Sequence, residues 1–109
     1  MRMATAMALG AVLAIGAAPA VRADDASVEA LMKKSNCFKC HAVDKKKDGP
    51  AFKETAAKYK GKADAEAKLY THLTTNPKVK VDGKEEEHAA IKTTKEDEVR
   101  NVAQWILSR

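Results

Sequence analysis

Cys37 and Cys40 stand three positions apart and His41 follows directly, in the run Cys37-Phe38-Lys39-Cys40-His41. Two thiols at this spacing can add to the two vinyl groups of one porphyrin while the next side chain reaches its iron, so C-x-x-C-H is an attachment sequence for a c-type haem. Other uses of paired cysteines fit less well. A thioredoxin-type redox motif needs a strand ahead of it, and a zinc site needs two further ligands at finger spacing, whereas the chain holds these two cysteines alone. A plain disulfide in an exported protein is the remaining alternative. The motif therefore implies one haem c, covalently held through Cys37 and Cys40, with His41 as its proximal ligand.

The donors for the opposite face of the iron can be counted. Met1, Met3 and Met7 lie at the extreme N-terminus, and Met32 precedes the motif by five residues on the apolar face of a helix, where it packs rather than ligates. Besides His41, the histidines are His72 and His88. Imidazole is the better iron ligand among the donors present, with lysine, water or an empty position as the alternatives.

Residues 1–23 read as a secretory leader. Arg2 stands near the start, an apolar stretch rich in Ala, Leu, Val and Ile runs from Ala4 through Ala18, and Val21-Arg22-Ala23 ends it before Asp24-Asp25. Cleavage after Ala23 is expected, with Ala20 as the alternative, and the run is too short for a comfortable membrane span unless it is retained as an anchor. Residues 24–109 then form a single small domain in the periplasm with no membrane span of its own. A chain this short buries a modest core and needs a staple, which a covalent haem supplies.

The elements that must position the motif are helical. Val28, Leu31 and Met32 recur at helical steps, predicting a first helix from about Ser27 into the haem motif. Gly49-Pro50 breaks the chain, Ala51 to Tyr59 reads as a second helix ended by Gly61, and Asp64 to Leu73 as a third. Thr75 to Thr93 reads as loop with one helical turn at most, over Glu85 to Ala90. The last helix carries Val99, Val102, Ala103 and Ile106 on one face and is expected to be capped through Thr93-x-x-Glu96 or Thr94-x-x-Asp97. The fold class expected is all-α, four or so short helices around one covalent haem.

On these residues the chain resembles the short bacterial class I cytochromes c. The resemblance rests on Cys37-Phe-Lys-Cys-His-Ala-Val-Asp, on Gly49-Pro50-Ala51-Phe52 with Ala56-Ala57-Lys58-Tyr59, and on Trp105-Ile106-Leu107-Ser108. It implies the cytochrome c fold, and it implies that the Pro50 carbonyl orients His41 and that Trp105 lies against the haem near a propionate. Phe52 and Tyr59 are read as ordinary core. Members of the family usually supply a distal methionine from a proline-flanked segment before the last helix, and this chain has neither. His88 lies six residues before Thr94, about where that methionine stands, so it is the expected metal ligand opposite His41. His72 is the rival, expected on an exposed helix flank.

A second imidazole in place of a thioether stabilises ferric iron and lowers the potential. The function expected is periplasmic electron transfer between redox partners, without substrate turnover and therefore not enzymatic. Alternatives are a haem protein with an openable distal site for gas binding or sensing, and a dedicated subunit of a larger periplasmic oxidoreductase.

Charge sets limits on partners. The chain has 20 Lys and Arg against 15 Asp and Glu; Arg2 and Arg22 fall in the leader, leaving a net of +3, and two propionates reduce this to roughly +1. Lys39 with Lys45-Lys46-Lys47, and Lys78, Lys80 and Lys84, could form a basic rim for redox proteins with acidic docking surfaces, the alternative being solvated loops. Nucleic acid is excluded by export and by the lack of a binding motif. A monomer is expected.

Overall fold

The computed structural model describes Gly10 and residues 25–109; the expected leader otherwise lies outside the described residues. Helix α1 (Asp25–Lys34) has Asp25 in its first turn and Lys33 and Lys34 in its last, each sign opposite to the helix end it meets. Val28 and Met32, four residues apart, bury its inner face. It does not run on into the haem motif. Asn36 takes φ 60, a left-handed conformation that asparagine tolerates better than most residues, and ends the helix there. Helix α2 (Cys37–Cys40) is a separate single turn.

Helix α3 (Phe52–Tyr59) begins two residues after Pro50 and gives way to Gly61, whose φ of 77 suits glycine. Helix α4 (Ala65–Thr74) buries Ala65, Leu69 and Leu73. The segment from 75 to 93 corrects the expectation of a loop with a helical turn. It contains an antiparallel hairpin, β1 (Lys78–Val81) and β2 (Lys84–Glu87), paired Lys78 to Glu87, Val79 to Glu86, Lys80 to Glu85 and Val81 to Lys84. Asp82 (φ 51) and Gly83 (φ 77) form the two-residue turn with positive φ at both positions that matches strand twist. Lysine opposite glutamate in two of the four pairs supports this register.

Helix α5 (Glu96–Leu107) is the spine of the molecule, packed on α1, α3 and α4. Its Val99, Val102, Ala103 and Ile106 meet Met32, Leu69, Leu73 and Phe52 in one core, with Met32 and Val102 wholly buried. Met32 thus packs with Val99 and Val102, as its helical position requires. Burying a side chain of this kind contributes about 1.5–3 kcal/mol. The expected capping box is not formed. Lys95 sits at the N-cap without a side-chain cap bond. Thr93 instead donates its hydroxyl to the Glu98 carboxylate and accepts the Lys95 N–H at 3.2 Å, while Glu96, Asp97 and Glu98 meet the positive helix end. The architecture is all-α, five helices among the described residues, with one small hairpin.

Candidate haem-binding site

One helical turn does the first work at the site. Positions three and four apart share a helix face, so α2 turns Cys37, Cys40 and His41 toward the same cleft. The His41 N–H closes that turn on the Cys37 carbonyl at 3.0 Å, and φ −125, ψ 147 at His41 swings the chain away. Cys37 is half-buried and Cys40 exposed at the mouth, and burial pushes the Cys37 thiol above its ordinary value of 9.0.

His41 is held on three sides. Its Nδ1 donates to the Pro50 carbonyl at 2.7 Å, which fixes the tautomer and leaves Nε2 as the ligating nitrogen. Its ring stacks on Phe52 with centroids 5.1 Å apart and planes 23° from parallel. Gly49 closes the third side. A Cβ at that position would stand 2.8 Å from the His41 Nδ1 and 2.9 Å from its Nε2, so only glycine allows the ring this position.

The cleft that these groups face has a volume of about 560 Å³, within the roughly 300–1,000 Å³ usual for cofactor sites. Met32, Phe52, Leu69, Leu73, Ile91, Val102 and Ile106 give it apolar walls, and Val79 and Val81 of the hairpin border it. His88 comes from the segment after β2. Its ring centre lies 6.2 Å from that of His41. Two imidazoles that both bound one metal ion at about 2.0–2.1 Å would stand at a separation of this order. His72 is not on a solvated flank as expected; it lines the same cleft with its ring 4.4 Å from that of His88. Burial is the main cause that holds both rings below the ordinary histidine value of 6.5, reinforced by the neighbouring histidines; near His88 the Ala89 backbone opposes this slightly without reaching hydrogen-bonding geometry. Neutral imidazole is the form that binds metal.

The donor set and the walls fit a covalent haem: two thiols, an anchored imidazole, an apolar cleft and a second imidazole that lines the same cleft. Among the described residues, two buried side-chain nitrogens lack hydrogen-bond partners, His88 Nδ1 and Trp105 Nε1. The structure brings together Cys37, Cys40, His41, Pro50 and His88. Trp105 stands apart from the residues that line the cleft, packed edge-on to Phe52 and Phe38 at 5.5 and 6.4 Å, with the Arg109 guanidinium 4.2 Å from its ring centre. Phe52 and Tyr59, read as ordinary core, both border the cleft. Sequence reasoning missed Gly49 as a contact of His41, although a glycine eight residues after a ligand and directly before Pro50 was a usable signal.

The family model for cytochrome c matches residues 26–109, and the chain belongs to that family. The chain is 35% identical over 106 residues to cytochrome c-551 of Pseudomonas aeruginosa, covering 94% of this chain and 95% of that one. It is 38% identical over 86 residues to cytochrome c2 of Rhodocyclus tenuis, covering 76% and 92%. Among solved structures, the class 1 cytochrome MtoD from Sideroxydans lithotrophicus ES-1 is 50% identical, with a TM-score of 0.75 over 78% of this chain and 95% of that one. Cytochrome c552 of Nitrosomonas europaea is 31% identical, with a TM-score of 0.58 over 77% and 98%. The chain is therefore a class I c-type cytochrome with one covalent haem c, a redox protein that exchanges electrons with partner proteins and not an enzyme. Among the described residues no helix is long and apolar enough to cross a membrane.

Proposed function

We propose that this cytochrome is a periplasmic electron carrier ligated by two imidazoles, His41 proximal and His88 distal, working at lower potential than its methionine-ligated relatives. The observation that carries the reading is the 6.2 Å separation of the His41 and His88 rings across an apolar cleft. Haem c supplies a one-electron couple when bound. Cys37 and Cys40 hold it in place, and the Pro50 carbonyl makes His41 a more basic donor. His88, kept neutral by burial, closes the distal side, and the walls exclude water so that little reorganises when charge changes. A role for Trp105 Nε1 as donor to a propionate rests on the resemblance alone, because Trp105 does not line the cleft and its indole N–H is buried among Phe52 and Phe38.

A closed distal side is what separates a carrier from a gas-binding protein. Carbon monoxide added to the ferrous protein should bind slowly or incompletely, and rapid stoichiometric uptake would overturn the carrier reading. Docking falls to one side of the cleft. Lys78, Lys80 and Lys84 share the hairpin with Asp82, Glu85, Glu86 and Glu87, three positive charges against four negative, so the hairpin offers no basic patch. The basic rim narrows to Lys39 and Lys45-Lys46-Lys47, and Lys47 Nζ is drawn back to the Phe38 carbonyl at 2.8 Å. This patch is the proposed contact for acidic partners. Export through a cleaved leader over residues 1–23, a mature domain over residues 24–109 and a monomeric state complete the proposal.

A further inference from the structure

His88 continues the hairpin by one more rung. The pairing of Lys78 with Glu87 makes Pro77 and His88 the next opposed residues, and the His88 N–H donates to the Pro77 carbonyl at 2.7 Å. A hydrogen-bonded pair of antiparallel residues exchanges two such bonds, but proline has no N–H to return. Asn76 supplies the missing donor: its Nδ2 donates to the His88 carbonyl at 3.1 Å. To do so Asn76 takes φ 48, a conformation few non-glycine residues adopt outside special sites. Both backbone polar groups of His88 are thereby fixed to the foot of β1, and α4 ends one residue earlier, at the Thr75 cap.

We infer that Asn76 is a positioning residue for the distal ligand, its side-chain amide replacing a backbone donor so that the Asn76-Pro77 foot of the hairpin holds His88 toward the iron. The inference rests on His88 being that ligand. Without the amide, the His88 carbonyl would lose this donor and the His88 backbone would be tied to the foot of β1 through its N–H bond to the Pro77 carbonyl alone. The imidazole would then swing away more often and admit an exogenous ligand.

The test compares cyanide binding to the ferric holoprotein in wild type, Asn76→Gly and Asn76→Asp, with His88→Ala in parallel. Glycine keeps the positive φ and removes the donor; aspartate keeps the shape and turns an acceptor toward the carbonyl. Loss of one such hydrogen bond should speed cyanide binding about three- to tenfold in both variants while the resting spectrum stays low-spin. A turn residue with only a structural role would not move this rate. Cyanide rates within a factor of about two of wild type in both variants, with His88→Ala altered in spectrum, would overturn the tether and leave the ligand assignment intact. An unchanged His88→Ala spectrum would overturn the ligand assignment and the tether together.

Discussion

Gly49→Ala should damage the proximal side of the site more than any other single-methyl addition. The new Cβ would lie 2.8 and 2.9 Å from the two ring nitrogens of His41, inside van der Waals contact. The backbone has little freedom to retreat, because the Gly49 N–H donates to the Cys40 carbonyl at 2.7 Å and the Gly49 carbonyl accepts the Lys47 N–H at 3.1 Å. The ring must therefore move. It would give up its bond to Pro50, a net loss of about 0.5–1.5 kcal/mol, and its stacking on Phe52, worth a similar amount. Overpacking in a tight site costs about 1–3 kcal/mol, and these contributions overlap, so roughly 2–4 kcal/mol is expected in total. Denaturant unfolding of the holoprotein, followed at the haem absorbance, reads the stability, and redox titration reads the potential, which should rise as His41 loses the carbonyl that makes it basic. Stability within about 0.5 kcal/mol of wild type together with an unchanged potential would show that Gly49 does not confine His41 and would refute the reasoning.

Met32→Ala should cost about 2–5 kcal/mol and Met32→Leu less than about 1.5 kcal/mol, both with an unchanged haem spectrum, because Met32 is wholly buried packing; a spectral change in Met32→Leu would make it a ligand. For His72 and His88 the folded state lowers the proton affinity, so below the ordinary value of 6.5 the unfolded chain binds more protons and stability should fall as pH drops. Urea midpoints measured across this range should fall toward acid, and His72→Gln should flatten the slope. Replacing Lys45, Lys46 and Lys47 with glutamine should slow electron exchange with an anionic redox partner at low salt and weaken its ionic-strength dependence; stopped-flow rates that match wild type at every salt concentration would move the docking patch elsewhere.

The parts of this molecule that follow from local chemistry were legible in its sequence. The haem motif and the apolar face of α5 depend on short-range spacing and lie where that spacing puts them, while the Pro50 partner of His41 came from the family resemblance and is present at 2.7 Å. The hairpin was half legible. Asp82-Gly83 between Val79-Lys80-Val81 and a second segment is a strong turn signal, but Lys84-Glu85-Glu86-Glu87 has poor strand propensity and no buried face, so its pairing partner had to reveal it. His72 was misplaced for a different reason. Its position beside Leu73 gives the helix flank, while the element that covers that flank is the His88 segment, 16 positions along the sequence. Asn76 escaped notice because its role exists only once Pro77 and His88 are opposed.

The central claim, that His41 and His88 grip one iron from opposite sides, is tested most directly by optical and paramagnetic resonance spectra of the ferric protein beside those of His88→Ala and His72→Ala. The account predicts a low-spin wild type without the methionine charge-transfer band, a high-spin or water-ligated His88→Ala, and a low-spin His72→Ala. A low-spin His88→Ala identical to wild type, or a methionine band in the wild type, would contradict it.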